Sequence, residues 1–168
     1  MKTTEPLVFA ATSDLAGITR GKAFPLSKLD SRMKKGVGWT PTNVMITCFE
    51  HIAEGPFGAL GDLLLKPDAD SLVELNLGEN APVERFALGD ITDLKGNPWE
   101  CCTRSILKTA LARLEQVGGV GLLGAFEHEF QFRGEVPAGP QGYTLNGFSQ
   151  RRAFGESLMA GLEQGGLE

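Results

Sequence analysis

Two glutamates lie two residues apart within a run of aromatic residues. They are Glu127 and Glu129, in the segment Phe126–Phe132. The alternation of residue types predicts a β-strand with both glutamates on one face and the aromatic residues and His128 on the other. The two Cβ atoms would then be roughly 6–7 Å apart, and two carboxylates so close repel each other unless a cation binds them. The pattern therefore indicates either a Mg²⁺ or Mn²⁺ site or the solvated face of an edge strand. For His128, burial in a core is the more ordinary role.

Short strand and helix patterns alternate along the rest of the chain. The first two predicted strands, Leu7–Thr12 and Ile18–Phe24, are joined by turn-forming residues and predict a hairpin. The other predicted strands are Asn43–Phe49, Leu72–Leu77, Val83–Ile91 and Val120–Phe132. Residue spacing and capping patterns predict helices from Ser27 to Gly36, through Leu107 to Leu114, and over Gln150–Gln164. The turn-forming segment Asp93–Pro98 marks a predicted domain boundary, and the order of elements favours an α+β fold.

Composition excludes several classes of function. The 168 residues include 16 Lys and Arg against 21 Asp and Glu, a net charge of −5, so we expect no nucleic-acid or anionic membrane partner. No apolar window approaches the length of about 18 residues that a membrane span needs. Three cysteines without a CxxC pair predict neither a disulfide framework nor a zinc site, and they favour a reducing cytoplasm.

Other short motifs have ordinary structural explanations. Gly119–Gly124 has the GxGxxG spacing, but it follows a predicted helix instead of preceding one, which argues against a dinucleotide site. Arg20 and Lys22 flank a glycine in a predicted strand, as in a solvated edge, although they could also contact an anionic neighbour. Cys101 and Cys102 are interpreted as packing residues.

Taken in order, five segments resemble the glutamine synthetase family. They are Asp14–Lys22 with its Arg-Gly-Lys, Gly61–Asp68, Gly89–Pro98, Thr103–Leu107 and Phe126–Phe130. The resemblance implies an α+β chain in two parts. Residues 1–98 would form a β-grasp N-terminal domain, and residues 99–168 would begin an α/β catalytic domain that is incomplete here.

The resemblance also implies a reaction and a set of site residues. The family uses ATP to phosphorylate the side-chain carboxylate of glutamate, and an amine then displaces phosphate to give a γ-amide. By motif match, Glu127 and Glu129 would hold Mg²⁺ or Mn²⁺. Family members form homo-oligomeric rings, so Glu54 and Asp62 would act at the site of a neighbouring subunit.

Two departures from the family pattern limit what the resemblance implies. Residues 52–58 occupy the place of the family's Asp-Gly-Ser-Ser loop, with Glu54 and Gly55 as stand-ins and a shorter interval to Asp62, so the amine could be ammonia or a larger amine. The chain also ends before the remaining family site residues, so we expect it to be inactive alone. The alternatives are a non-catalytic β-grasp interaction module and, less favoured, a small metal-dependent phosphohydrolase.

Overall fold

Six strands and three α-helices lie within the described part of the chain. The computed structural model describes residues 4–58, 61–78, 81–130, 132–134, 139–140 and 142–167. The strands are β1 (Leu7–Ser13), β2 (Thr19–Pro25), β3 (Val37–Trp39), β4 (Leu63–Pro67), β5 (Val73–Leu75) and β6 (Glu84–Thr92). The helices are α1 (Leu29–Lys35), α2 (Thr103–Gly118) and α3 (Leu145–Gln164), and short 3₁₀ turns cover Leu26–Lys28, Pro41–Val44 and Ala69–Ser71.

The strands form one mixed sheet in the order β2-β1-β6-β4-β3, and β5 also pairs with β6. β1 and β2 form the predicted hairpin, with antiparallel pairing from Leu7 opposite Pro25 to Ser13 opposite Thr19. β6 runs parallel to β1 and antiparallel to β4. The sheet with few helices is an α+β arrangement, as the sequence predicts.

The core lies in the part of the chain that carries the sheet. Its buried members are mostly aliphatic and come from the strands, the 3₁₀ turn after β3 and the start of α2. They are Val8, Ala10, Phe24, Val37, Trp39, Val44, Leu63, Leu65, Ile91 and Cys102. Alternating burial in β1 and β4 places Val8, Ala10, Leu63 and Leu65 on the covered face of the sheet.

The two N-terminal helices begin and end with local chemistry that differs from the prediction in detail. α1 ends at Gly36 as predicted, but the Ser27 side chain donates to Glu5 and does not cap the helix. α2 is capped by Cys102, whose buried Sγ accepts the backbone N–H of Ser105 at 3.5 Å and that of Ile91 at 3.2 Å. At the other end, the left-handed residue that follows α2 is Gly119.

Two predicted strands are wrong. Over Asn43–Phe49 the chain completes a 3₁₀ turn and enters a loop with one isolated bridge, between Ile46 and Ile52. Within Val120–Phe132, the described residues contain no strand. Alternating residue types only show which faces a strand would have, and a strand also needs a hydrogen-bonded neighbour.

The chain divides into two compact units. One contains the described residues of 1–74 and 84–121, and the other contains those of 75–83 and 122–168. In the second unit, the Thr144 side chain caps α3, which starts five residues before the predicted helix. The rings of Phe130 and Phe132 pack against Phe154 of α3, and Gln164 hydrogen-bonds the backbone of Asn76. The domain boundary between residues 98 and 99 stays a prediction.

A glycine in the edge strand β2 is required by close packing. A Cβ on Gly21 would collide with the carbonyl oxygen of Ala10 and lie 2.6 Å from the Phe9 ring. We therefore expect Gly21→Ala to lower the free energy of unfolding by about 1–3 kcal/mol, as for other overpacked sites. Gly38→Ala in the opposite edge strand is the control, since nothing lies within 4 Å of its Cβ position. Urea denaturation measures both, and equal losses in the two variants would contradict the explanation.

Candidate functional site

The predicted metal ligands lie in an exposed segment without regular secondary structure. Glu127 and Glu129 are both exposed and belong to no strand. His128 between them is also exposed, with its ring 6.2 Å from that of Phe126, so its assignment to a core is wrong. In the described part of the chain the segment pairs with no strand. Of the face that the alternation predicted to be buried, Phe130 and Phe132 pack against Phe154, while Phe126 and His128 are exposed.

The donor set fits only part of a metal site. Within the described ranges, no group of three or more His, Cys, Asp or Glu side chains is placed to hold an ion. Mg²⁺ usually takes one or two carboxylates and fills its remaining positions with water and substrate phosphate. Glu127 and Glu129 are therefore chemically suitable as a partial ligand set, and their role as ligands stays a prediction.

The two predicted catalytic carboxylates lie in the connection between β3 and β4. Glu54 follows the Ile46–Ile52 bridge and is exposed. Asp62 is exposed as well, directly before the first residue of β4. Both side chains are accessible to solvent, as groups that meet a substrate or a second subunit need to be, and their catalytic roles stay predictions.

The Arg-Gly-Lys segment is turned toward the protein, not toward solvent alone. Arg20 Nε donates to Asp14 Oδ2 at 2.6 Å, and its two terminal nitrogens donate to the two carboxylate oxygens of Glu50 at 3.2 Å each. Lys22 Nζ donates to the carbonyl oxygen of Gly38 at 2.6 Å and lies 5.9 Å from the Trp39 ring centre. We call Asp14, Arg20 and Glu50 the Arg20 clasp.

Asp14 is the buried member of the Arg20 clasp. Burial alone would raise the pKa of Asp14, but hydrogen bonds from Arg20 and from the backbone of Ile18 and Ala16 outweigh it, so the pKa lies below 3.8. Its side chain has no exposed surface. The ionised carboxylate therefore accepts hydrogen bonds from protein groups in place of water, and these bonds fix the hairpin turn between β1 and β2.

A second cluster joins three segments that the sequence analysis singled out separately. Arg104 of α2 donates to Asp68 at 2.7 Å and to Asp90 at 3.0 Å. Lys108, one turn later on the same helix face, donates to Asp90 at 2.7 Å and Asp68 at 3.4 Å. We call these residues the four-charge cluster. Asp68, Asp90 and Lys108 also line a depression of about 440 Å³.

The four-charge cluster is electrically balanced. The Arg104 guanidinium holds the pKa of Asp68 below 3.8, and burial only partly opposes it. Asp68 directly follows β4 and Asp90 lies near the end of β6, so the cations of α2 bind the ends of both strands at once. Because each anion already has two cationic partners, the cluster fastens α2 to the sheet and leaves no free charge for a ligand. The spacing of Arg104 and Lys108 in the sequence places both cations on one helix face, but it does not show their partners.

Removing the guanidinium tests this assignment. At pH 7 we expect Arg104→Gln to lower the free energy of unfolding by about 1–2 kcal/mol, because two charge-assisted hydrogen bonds in a partly exposed site are lost. The folded-state pKa of Asp68 is depressed, so its stabilisation is present above pH 3.8 and is lost as the pH falls through the folded-state value. The difference from wild type should therefore shrink below pH 3.8, measured by urea unfolding across pH.

Lys108→Gln is the matched control. Its ammonium group is more exposed than the guanidinium, at 49% against 22% of the side chain. We expect a smaller loss in this variant. A loss as large as that of Arg104→Gln, or a difference that persists unchanged in acid, would contradict the assignment.

Much of the chain is similar to proteins of the glutamine synthetase family. Residues 2–99 match the family model of the glutamine synthetase N-terminal domain. The gamma-glutamylpolyamine synthetase GlnA3 of Streptomyces coelicolor is 32% identical over 128 residues, which are 73% of this chain and 26% of that protein. A crystal structure of a novel glutamine synthase homolog is 32% identical with a TM-score of 0.76, and the match covers 99% of this chain and 40% of that one.

A more distant structure supports the fold alone. A GmaS/ADP complex superposes with a TM-score of 0.64 at 19% identity, covering 93% of this chain and 35% of that one. The chain thus spans less than half the length of these relatives. Among the described residues, no helix has the length and apolar character needed to cross a membrane. Since the family model matches more than half of the sequence, the chain belongs to the glutamine synthetase family.

Proposed function

We propose that this chain is the N-terminal part of an ATP-dependent ligase that joins glutamate to an amine as a γ-glutamyl amide. The observation that carries the proposal is the 32% identity to a gamma-glutamylpolyamine synthetase over 128 residues, which extends past the N-terminal domain match at residue 99. The ordered segments from Asp14 to Glu129 support the same conclusion.

The proposed reaction has two steps. A γ-carboxylate oxygen of glutamate bonds to the terminal phosphorus of ATP, and the bond to ADP breaks. The amine nitrogen then bonds to the acyl carbon, phosphate leaves, and the nitrogen loses a proton to a base. A bound Mg²⁺ or Mn²⁺ would neutralise the charge on the transferred phosphoryl group. Glu127 and Glu129 are the residues that we propose to hold it.

Glu54 and Asp62 are the carboxylates that we propose to act on the amine. Both are exposed in the connection before β4, where they can meet the site of a neighbouring subunit in a homo-oligomeric ring. A carboxylate attracts the ammonium form of an amine and can accept its proton. The relative that is 32% identical over 128 residues is a gamma-glutamylpolyamine synthetase. This similarity favours a larger amine over ammonia as the second substrate.

The chain alone is proposed to be inactive. It covers 26% and 40% of the two relatives that share 32% identity, and its described residues offer no complete metal ligand set. The apolar face of α3 also remains open, with Phe154, Leu158 and Leu162 each at least 37% exposed. This supports a place within a larger protein, and the competing proposal is a free-standing interaction module without chemistry.

Metal titration separates these two proposals. For the ligase we expect weak Mn²⁺ binding to the isolated chain by calorimetry, and its loss in Glu129→Ala, because one carboxylate alone binds a hard cation poorly. Glu115→Ala on the exposed surface of α2 is the control and should bind Mn²⁺ like wild type.

The interaction module would be indifferent to Mn²⁺. Absence of binding in wild type, or equal binding in Glu129→Ala, would therefore contradict the ligand assignment. A coupled assay of ADP release with glutamate and a polyamine should show no turnover by the 168-residue chain, and sustained turnover would overturn its proposed inactivity.

A further inference from the structure

The loop before Glu54 has a defined backbone conformation. Thr47 N–H donates to His51 O at 2.7 Å, and Glu50 N–H donates to Thr47 O at 3.0 Å. The Thr47 hydroxyl oxygen accepts the N–H of Phe49 and of His51, each at 3.3 Å. Residues 47–51 therefore form a closed turn, which we call the Thr47 turn.

Glu50 is the strained residue of the Thr47 turn. Its φ is 61°, in the left-handed region that residues with a Cβ adopt at an energetic cost. Such a conformation persists where surrounding contacts hold it. Here the Glu50 carboxylate is held by the guanidinium of Arg20 through two hydrogen bonds. This fork geometry fixes orientation as well as distance.

Arg20 is itself fixed from the core side. Its Nε donates to the buried carboxylate of Asp14, and the next residue, Leu15, donates its N–H to Val44 O at 3.1 Å. Val44 is 2% exposed and belongs to the core. The Arg20 clasp therefore connects the Thr47 turn to the hairpin of β1 and β2, which the sheet holds in place.

Contacts with Met45 hold the two neighbours of Glu54 close to the Thr47 turn. Ala53 N–H donates to Met45 O at 2.9 Å, closing the two arms of the loop just before Glu54. On the other side of Glu54, the Cβ position of Gly55 is occupied by the Met45 methyl group. Both neighbours of Glu54 are thus packed against Met45, the residue where the loop begins.

We infer that Arg20 is a positioning residue for Glu54, acting through Glu50 and the Thr47 turn. The catalytic meaning of this inference rests on the proposed function, since it assigns to the Arg20 clasp the task of presenting Glu54 to the amine. The positioning itself is a property of the isolated chain. It places the guanidinium of the Arg-Gly-Lys segment outside direct contact with substrate.

Amide exchange measured residue by residue by NMR tests the positioning. In Glu50→Gln we expect exchange at the amides of Thr47 and Ala53 to rise about fivefold, because the ionic fork is lost, with global unfolding unchanged. Arg20→Gln should raise it at least as much. The order parameter of the Glu54 amide should fall in both variants, which a stability effect alone would not produce.

Two comparisons make the test specific. Arg85→Gln removes an arginine from another ion pair with a glutamate, Glu74 at 2.7 Å, and should leave loop exchange as in wild type. In the double variant Arg20→Gln/Glu50→Gln, exchange should match that of Arg20→Gln, because both changes break one connection. Arg20→Lys should restore only part of the protection, since an ammonium group cannot form the fork.

Unchanged exchange in Glu50→Gln would overturn the inference. So would additive effects in the double variant, because Arg20 would then act by a route other than Glu50. No substrate or metal enters these measurements. Absence of Mn²⁺ binding would therefore contradict the proposed metal ligands of the ligase while the positioning of Glu54 stands. Unchanged amide exchange would overturn the positioning while the proposed ligase function stands.

Discussion

The hydrogen-bond ladders of β6 are the interaction on which the rest of this structure depends. β6 pairs with β1 in parallel and with β4 in antiparallel, so it joins the N-terminal hairpin to the strands that follow the loop. The contact with β4 is close, since a Cβ on Gly89 would lie 2.8 Å from Lys66 O. This fixed spacing brings Asp68 and Asp90, which are far apart in sequence, under the same two cations of α2.

Ion pairs then attach a helix and a loop to the sheet. The four-charge cluster ties α2 to the ends of β4 and β6, and the Arg20 clasp ties a loop to the hairpin. Exposed pairs of this type stabilise a fold little, but pairs with fork geometry or buried partners define where a segment lies. Asp14 meets that condition, because its fully buried carboxylate binds both the Arg20 side chain and local backbone N–H groups.

The sequence predicted local structure where local chemistry decides it. The hairpin of β1 and β2, the end of α1 at Gly36 and the helical stripe of α2 all follow from residue types and spacing. The prediction of a strand over Asn43–Phe49 was wrong because Pro41 starts a 3₁₀ turn, and the chain then closes on itself at Ile46 and Ile52. The ion pairs of Arg20 and Arg104 depend on sheet topology, and the sequence could name these arginines but not their partners.

The predicted strand around Glu127 and Glu129 shows that a strand pattern in the sequence does not by itself produce a strand. The alternation of residue types predicts that one face of this segment is covered. In the structure, however, Phe126 and Phe130 are 88% and 60% exposed, and the segment pairs with no strand in the described part of the chain. A strand gains its stability from neighbours on both edges and from a covered face. The chain spans 26% and 40% of the two relatives that share 32% identity with it. The strands of the N-terminal sheet do have such neighbours, because β6 pairs with β1, β4 and β5.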